Sequence, residues 1–335
     1  MFGNLLTQLY KRSRGPRMIF GARATLFALL SIALLSGCAS GDTRPTAVPF
    51  DDTLVTAAWL SEHLGEPDLV VLDCSVVLES LAGGGMRAVS GRRAYDEGHI
   101  PTAGFADLMV DLSDQDSELQ YAVPSPQQFA AAMEALGVSD TSRVVLYDRS
   151  YSAWAARVWW MLRWIGFDRA ALLDGGLEAW KAQGQSLSTV PAGRSAGQLT
   201  VNLRPELIAD RDEVFEAIGN QRVELIDAMP AAHYRGDMVM YDRPGHIPGA
   251  SNVSALSLLD DSGRFRSREQ LHQLVGGDRQ TRAITYCGGG IAASSTAFVL
   301  HRLGFTDVAV YTASLQEWAA DPNNPMEVGT ESSQE

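Results

Sequence analysis

The stretch that decides the fold is Ala283-Ile284-Thr285-Tyr286-Cys287-Gly288-Gly289-Gly290, followed directly by residues 291 to 300. The short apolar run before the cysteine predicts a strand, and the residues after the glycines have the composition of a helix. Glycines can take positive φ, so their backbone N–H groups can turn inward around the sulfur. The start of the following helix adds unpaired N–H groups and the positive end of its dipole.

These surroundings lower the pKa of a thiol and favour the reactive thiolate. The sequence therefore predicts that Cys287 is a nucleophile. The backbone that we expect to surround its sulfur belongs to Gly288, Gly289, Gly290, Ile291, Ala292 and Ala293. A buried, unreactive cysteine before a glycine turn is the simpler alternative.

The chain contains two copies of one module. Four landmarks recur in the same order. The strand 70–73 returns as 224–227, and the motif Gly-His-Ile-Pro at 98–101 returns at 245–248. Later in each copy a strand ends in Asp148 or Cys287, and a tryptophan follows 32 residues after Asp148 (Trp180) or 31 after Cys287 (Trp318). A repeat of this kind indicates a duplicated domain.

Each copy alternates short apolar strands with amphipathic helices, which we expect at 126–136, 153–165, 270–275 and 291–303. This alternation predicts an α/β fold in which each copy is a parallel sheet flanked by helices. We expect the first domain at 53–185, a linker at 186–205, the second domain at 206–326 and a tail at 327–335. Loops at the carboxyl ends of such strands commonly carry catalysis, and Cys287 occupies that position.

With Tyr286 before it, the segment Cys287-Gly-Gly-Gly-Ile-Ala-Ala resembles the active-site loop of the rhodanese-type sulfurtransferases, which use thiosulfate or 3-mercaptopyruvate. The resemblance covers residues 53 to 326 and implies a tandem rhodanese with an inactive first copy, because the carboxylate of Asp148 cannot accept a sulfane sulfur. It implies that sulfur passes through a Cys287 persulfide to cyanide or a thiol acceptor. No metal or organic cofactor is expected.

Two further residues are candidates by the same resemblance. Arg157 opens a segment, Arg157 to Arg163, like that of two-domain rhodaneses whose arginine reaches the anionic group of the donor. The alternative is an ion pair with a structural carboxylate. The Gly-His-Ile-Pro motif is most simply a rigid turn whose imidazole bonds nearby backbone, but His99 also stands where the mercaptopyruvate branch is thought to employ a histidine for proton transfer.

The loop departs from both branches of the family. Gly288 and Gly289 replace the basic residues of the thiosulfate branch and the serine of the mercaptopyruvate branch, and Met229 stands where an arginine often follows the strand aspartate. Without a serine hydroxyl to manage the leaving keto acid, we expect a preference for thiosulfate, with 3-mercaptopyruvate as the alternative donor. A non-catalytic persulfide carrier is a second alternative. A phosphatase loop of the Cys-x5-Arg type is disfavoured, because Ala293 holds the arginine position.

The N-terminal 38 residues predict a bacterial lipoprotein signal peptide. A basic segment without acids precedes the apolar run 24–35, and Leu35-Ser-Gly-Cys38 resembles a lipobox whose cysteine is lipidated. An uncleaved anchor helix is the alternative, and Met18 is a possible second start. Residues 39–52 suit a flexible tether, and Ala39 in place of a retention aspartate favours the outer over the inner membrane. We therefore expect an exported protein, held on the periplasmic side by the lipid on Cys38.

Charge and cysteine usage fit this picture. Removing residues 1 to 37 takes away five positive charges and no negative ones, so the formal net charge falls from −13 to −18. Such an acidic chain argues against binding to nucleic acid. Cys74 follows an apolar strand, and we interpret it as a small buried residue rather than a second reactive thiol.

Overall fold

The computed structural model describes residues 52–82 and 86–329. The predicted signal peptide, Cys38, the beginning of the tether and the end of the tail lie outside the described residues. Among the described residues, no helix has the length and apolar character needed to cross a bilayer.

The first domain is built on a five-stranded parallel sheet with the strand order β1-β7-β6-β2-β5. A β-hairpin of two antiparallel strands, β3 and β4, lies outside that sheet and was not predicted. The strands are β1 (Leu54–Val55), β2 (Leu69–Asp73), β3 (Val76–Ser80), β4 (Met86–Ser90), β5 (Gly104–Phe105), β6 (Arg143–Tyr147) and β7 (Ala170–Leu173), and the helices are α1 (Ala57–His63), α2 (Arg92–Glu97), α3 (Pro126–Ala135), α4 (Ala153–Trp164) and α5 (Gly176–Ala182).

The second domain repeats this architecture, with a parallel sheet in the order β10-β9-β11-β12-β8. Its strands are β8 (Ile208–Ala209), β9 (Val223–Asp227), β10 (Ser251–Asn252), β11 (Arg282–Tyr286) and β12 (Val308–Tyr311), and its helices are α6 (Arg211–Ala217), α7 (Ala231–Tyr234), α8 (Arg268–Val275), α9 (Ile291–Leu303) and α10 (Ser314–Trp318). Read from β8 to β10, this strand order corresponds to that of the first sheet read from β1 to β5. The match confirms the predicted α/β fold with two parallel sheets. The predicted domain limits stay predictions, although residues 185–204 contain no helix or strand.

Helix starts differ in a way that matters for the site. Ser125 caps α3 by accepting the N–H of Gln128, and Ser267 and Gln270 form a capping box at the start of α8. The helices α4 and α9, in contrast, follow a residue with positive φ and have no side-chain cap. The N–H groups of their first turns are therefore left for other acceptors.

The two domains pack against each other through α4 and α9. Both helices are buried along almost their whole length, and the ring of Trp159 meets that of Phe298 edge to face with centroids 4.9 Å apart. This contact is favourable for an aromatic pair beyond the apolar area that it buries. It places the start of α9 beside residues of the first domain.

The repeated Gly-His-Ile-Pro motif makes the same turn in both domains. His99 stacks on Tyr95 with ring centroids 3.9 Å apart, and His246 stacks on Tyr234 at 3.7 Å. The Nδ1 atom of each histidine is bonded to the backbone carbonyl of its tyrosine, at 2.8 and 2.7 Å. The Nε2 atom of His99 is 3.0 Å from the carbonyl oxygen of Val190. Both ring nitrogens of His99 thus lie against backbone carbonyls, and His99 supports the fold. The assisting role that the resemblance suggests for it stays a prediction.

Candidate functional site

Cys287 begins the loop between β11 and α9 and is 3% exposed. Its N–H donates to Ser314 Oγ at 3.1 Å, and its carbonyl oxygen accepts the N–H of Leu315 at 3.0 Å. The carbonyl of Gly288 accepts the N–H of Gln316, also at 3.0 Å. The loop is therefore fixed to the start of α10, which limits the positions that the sulfur can take.

Gly290 makes the sharp turn into α9. Its φ is +80°, and a Cβ there would lie 2.7 Å from the carbonyl oxygen of Thr312. Only a glycine fits this position without strain. Ser294 donates its hydroxyl to the Gly290 carbonyl at 2.7 Å, which stabilises the turn from the helix side.

The matching loop of the first domain contains an anion of its own. The carboxylate of Asp148 accepts the N–H groups of Ser150 (2.9 Å), Ser152 (3.1 Å), Trp154 (3.1 Å) and Ala155 (3.1 Å). Burial raises the pKa of Asp148, and the hydrogen bonds from the N–H groups of Ser150, Ala155 and Ser152 oppose that shift. The Ser150 hydroxyl also donates to this carboxylate, at 3.4 Å. The loop and first helical turn of this fold therefore bind a negative group mainly through backbone N–H groups.

The duplication shows which N–H groups of the second domain correspond. Ser152 and Gly290 both precede their helix with positive φ, of 61° and 80°. Counted from that shared position, Trp154 corresponds to Ala292, and Ala155 to Ala293. The N–H groups of these two alanines belong to the uncapped first turn of α9. We therefore expect them to face a thiolate or persulfide on Cys287, as the sequence predicts.

Arg157 of α4 reaches across the domain interface to this loop. Its side chain is 1% exposed, and its Nη1 atom lies 3.0 Å from the position that a Cβ on Gly290 would occupy. Nη2 donates to the Tyr121 carbonyl at 2.9 Å, while Nε and Nη1 have no hydrogen-bond partner among the residues that the structure describes. Burial lowers the pKa of Arg157 to about 10, and the negative charge of the Cys287 thiolate opposes that shift.

Three tyrosines that the sequence did not single out contact the Cys287 loop or feel the charge of Cys287. Burial raises the pKa of Tyr241, and the Cys287 charge raises it further. Burial likewise raises the pKa of Tyr151, followed by the charges of Asp148 and Cys287. Tyr121 lies 3.4 Å from the Cβ position of Gly289, and burial raises its pKa as well. Tyr241 and Tyr121 belong to irregular segments far from Cys287 in sequence, so no local pattern could have indicated them.

The strand aspartates differ between the domains. Asp73 forms an ion pair with Arg149 at 3.4 Å. Asp227 has no cationic partner within the described residues, and burial raises its pKa to about 7 despite hydrogen bonds from Met229 N–H and the Tyr286 hydroxyl. The replacement of the usual arginine by Met229 thus leaves a buried carboxylate that is easily protonated.

Cys74 is fully buried, and burial raises the pKa of its thiol well above the ordinary value. It therefore lacks the thiolate character of a reactive cysteine. Within residues 52–82 and 86–329, no group of three or more His, Cys, Asp and Glu side chains is placed to hold a metal ion.

Comparison with known proteins gives consistent matches. A family model described as a rhodanese-like domain matches residues 56–183 and 210–321. A probable 3-mercaptopyruvate sulfurtransferase of Pseudomonas aeruginosa is 38% identical over 285 residues, 82% of this chain and 98% of that protein. The 3-mercaptopyruvate sulfurtransferase of Escherichia coli K12 is 31% identical, covering 82% and 97%. A putative thiosulfate sulfurtransferase of Mycobacterium tuberculosis H37Rv, SseB, is 35% identical, covering 83% and 97%.

Among solved structures, the 3-mercaptopyruvate sulfurtransferase SseA from Escherichia coli superimposes with a TM-score of 0.69 at 30% identity, covering 78% of this chain and 98% of SseA. Structures of EanB superimpose with a TM-score of 0.70, but at 22% identity they show a shared fold and no more.

Proposed function

Since this chain belongs to the rhodanese family and is a sulfurtransferase with two rhodanese domains, we propose that it takes sulfur from 3-mercaptopyruvate in preference to thiosulfate. In this proposal Cys287 carries the sulfur as a persulfide and passes it to a thiol or to cyanide.

The observation that supports this proposal most directly is the state of Arg157. A fully buried guanidinium without a carboxylate partner is unfavourable, because its lost hydration is not replaced. Two of its nitrogens have no hydrogen-bond partner among the residues that the structure describes, and one of them lies beside Gly290. The carboxylate of a small donor would supply the missing partner and bring the donor sulfur to Cys287.

The chemistry requires a thiolate that attacks sulfur and an environment that stabilises the product anion. The Cys287 thiolate forms a bond to the donor sulfur as the bond from that sulfur to the donor breaks. The N–H groups at the start of α9 then stabilise the terminal persulfide sulfur, as their counterparts stabilise the carboxylate of Asp148. An acceptor nucleophile removes that sulfur and restores the thiolate.

The charge of the site favours the monoanionic donor. Thiosulfate would bring two negative charges to a buried thiolate, with Arg157 as the neighbouring cation, whereas 3-mercaptopyruvate brings one carboxylate charge. The preference for thiosulfate expected from sequence depended on the absence of a hydroxyl at Gly289. Tyr121, Tyr151 and Tyr241 provide hydroxyl groups from other segments, which removes that reason. Relatives named for 3-mercaptopyruvate also support the choice.

The test is kcat/KM for both donors with cyanide as the common acceptor. We expect 3-mercaptopyruvate to be preferred by roughly tenfold or more, because binding a second buried charge disfavours thiosulfate by at least the 1.4 kcal/mol that a factor of ten represents. The opposite preference would overturn the donor assignment. A chain that forms a persulfide but does not turn over with either donor would instead be a sulfur carrier.

Cys287→Ser tests the nucleophile, with Cys74→Ser as its matched control. The first change should abolish cyanolysable sulfur while leaving the circular dichroism spectrum unchanged, because a serine hydroxyl cannot hold a sulfane sulfur. The second should keep most of the activity. Sulfur that persists on the Cys287→Ser protein would place the nucleophile elsewhere.

We also propose that the protein is an exported lipoprotein, anchored through Cys38 on the periplasmic side and more often in the outer than the inner membrane. The support is the sequence alone: the basic segment, the apolar run and the lipobox-like Leu35-Ser-Gly-Cys38.

A further inference from the structure

The eight tyrosines that the structure describes divide into two groups by what their hydroxyls contact. Five of them are paired: the hydroxyls of Tyr95, Tyr234 and Tyr311 donate to Ala103, Ala250 and Glu317, and those of Tyr147 and Tyr286 accept the N–H groups of Ile100 and Ile247. The hydroxyls of Tyr121, Tyr151 and Tyr241 form no hydrogen bond with any described residue. None of these three hydroxyls is a buried polar atom without a partner, so they are open to water or to a ligand. The hydroxyl of Tyr241 and the ring of Tyr121 lie against Gly288 and Gly289, which is where a donor would meet Cys287.

Tyr241 is the most closely placed of the three. A Cβ on Gly288 would overlap its hydroxyl, so the phenol lies directly against the residue that follows Cys287. Its position is fixed by Arg243, two residues later. The guanidinium of Arg243 donates to four backbone carbonyls at the end of α10 and after it, those of Trp318 (3.0 Å), Ala319 (2.9 Å), Asp321 (2.7 Å) and Asn324 (2.6 Å).

We propose that the three hydroxyls bind the keto-acid part of the donor and that Tyr241 is a catalytic residue, which passes a proton to the departing enolate. This inference rests on the proposed function, in which the donor is a keto acid with a thiol. The Cys287 loop has no side-chain hydroxyl that could bind the keto acid or donate a proton. In this proposal, tyrosines from three other segments supply these hydroxyls.

The step balances without an external oxidant or reductant. The Cys287 thiolate forms the S–S bond while the C–S bond of 3-mercaptopyruvate breaks, and the electron pair of that bond becomes the enolate of pyruvate. Tyr241 gives its O–H proton to the enolate carbon and regains a proton from the S–H of the new persulfide. The products are pyruvate with a methyl group and a persulfide anion in the N–H groups at the start of α9.

The electrostatics suit this task. Burial and the neighbouring Cys287 charge raise the pKa of Tyr241, so the phenol is protonated before the donor arrives. A group that keeps its proton beside a thiolate can act as a general acid once the enolate forms.

The test compares Tyr241→Phe with the matched control Tyr95→Phe. The Tyr95 hydroxyl donates to the carbonyl of Ala103 within the first domain, so its removal takes away a structural hydrogen bond and no contact with the Cys287 loop. With 3-mercaptopyruvate, kcat of Tyr241→Phe should fall by roughly a hundredfold or more, since a general acid typically contributes about 10²- to 10⁴-fold. Single-turnover persulfide formation from thiosulfate should change by less than about twofold, because sulfite leaves as a stable anion and needs no proton. Tyr95→Phe should lower the melting temperature and leave both rates unchanged.

A second measurement distinguishes a role of Tyr241 in proton transfer from a role in shaping the site. The solvent deuterium isotope effect on kcat with 3-mercaptopyruvate should differ between the wild-type protein and Tyr241→Phe. Equal losses with both donors, or an unchanged rate with 3-mercaptopyruvate, would overturn the role of Tyr241 and leave the donor assignment standing. A wild-type protein that is inactive with 3-mercaptopyruvate would overturn the donor assignment itself.

Discussion

Replacing Arg157 by methionine should weaken donor binding and at the same time leave the protein as stable as before, or more stable. Methionine fills a similar volume, so little cavity forms, and it removes a buried charge. A pKa of about 10 for Arg157 means that burial disfavours the charged form by roughly 3 kcal/mol relative to an ordinary arginine. Loss of the bond to the Tyr121 carbonyl offsets about 1.5–3 kcal/mol of that gain.

The net change in the free energy of unfolding is therefore between about zero and 1.5 kcal/mol in favour of Arg157→Met, which raises the melting temperature by at most about 5 °C. The donor KM should rise roughly tenfold to a hundredfold, because a charge-assisted hydrogen bond contributes about 1.5–3 kcal/mol. Differential scanning calorimetry and steady-state kinetics on the same preparations measure the two effects. Added pyruvate should raise the melting temperature of the wild-type protein but not of the variant.

Arg163→Met is the matched control on the same helix. Arg163 pairs with Asp168 at 3.0 Å and lies over the ring of Trp159, so its loss should reduce stability and leave the donor KM unchanged. If Arg157→Met unfolds at a clearly lower temperature with an unaltered KM, Arg157 supports the domain interface and does not bind the donor.

Three further outcomes are expected. Gly290→Ala should lower both the melting temperature and turnover, since φ is +80° and the new Cβ would lie 2.7 Å from a carbonyl oxygen. Gly304→Ala, at the other end of α9, is the control, because φ is +92° but the space around it is open. It should lower the free energy of unfolding by only about 1 kcal/mol and keep its activity. Asp227 has a folded pKa of about 7, above the usual 3.8, so its charged form lowers stability progressively as the pH rises from 4 to 7. Asp227→Asn should therefore raise the melting temperature at pH 8 but not at pH 4, while Asp73→Asn, which breaks an ion pair, should not raise it at pH 8. Cys38→Ala should move the protein from the membrane to the soluble fraction of cells grown with a labelled fatty acid, and a variant that stays lipid-labelled would contradict the lipid anchor.

The sequence predicts the fold well because the same order of strands and helices occurs in both copies of the repeat. Helices expected at 126–136 and 153–165 are observed at Pro126–Ala135 and Ala153–Trp164, and the strand before Cys287 begins only one residue earlier than expected. The β3–β4 hairpin was missed because it has no counterpart in the second copy. Its strands are exposed at the end nearer the turn, at 78–80 and 86–87, so burial does not alternate along them and no clear apolar alternation is present.

Only part of the site can be predicted from the sequence. Cys287, its glycines and Arg157 lie in segments with a recognisable pattern, and the structure brings them together. The tyrosines approach from segments whose positions depend on distant contacts, such as the bonds from Arg243 to carbonyls some 75 residues later. A single sequence holds no trace of such a contact, so the argument from a missing hydroxyl at Gly289 could not foresee hydroxyls supplied by other loops.

The carboxylate of Asp148 also sets the sulfur-carrying capacity of the molecule. Because four backbone N–H groups are occupied by that carboxylate, the loop of the first domain that corresponds to the Cys287 loop has no free anion site for a donor or a persulfide. Cys74, the other cysteine that the structure describes, is fully buried. Each chain should therefore load a single sulfur atom per cycle, and the yield of thiocyanate in one burst would count active molecules directly.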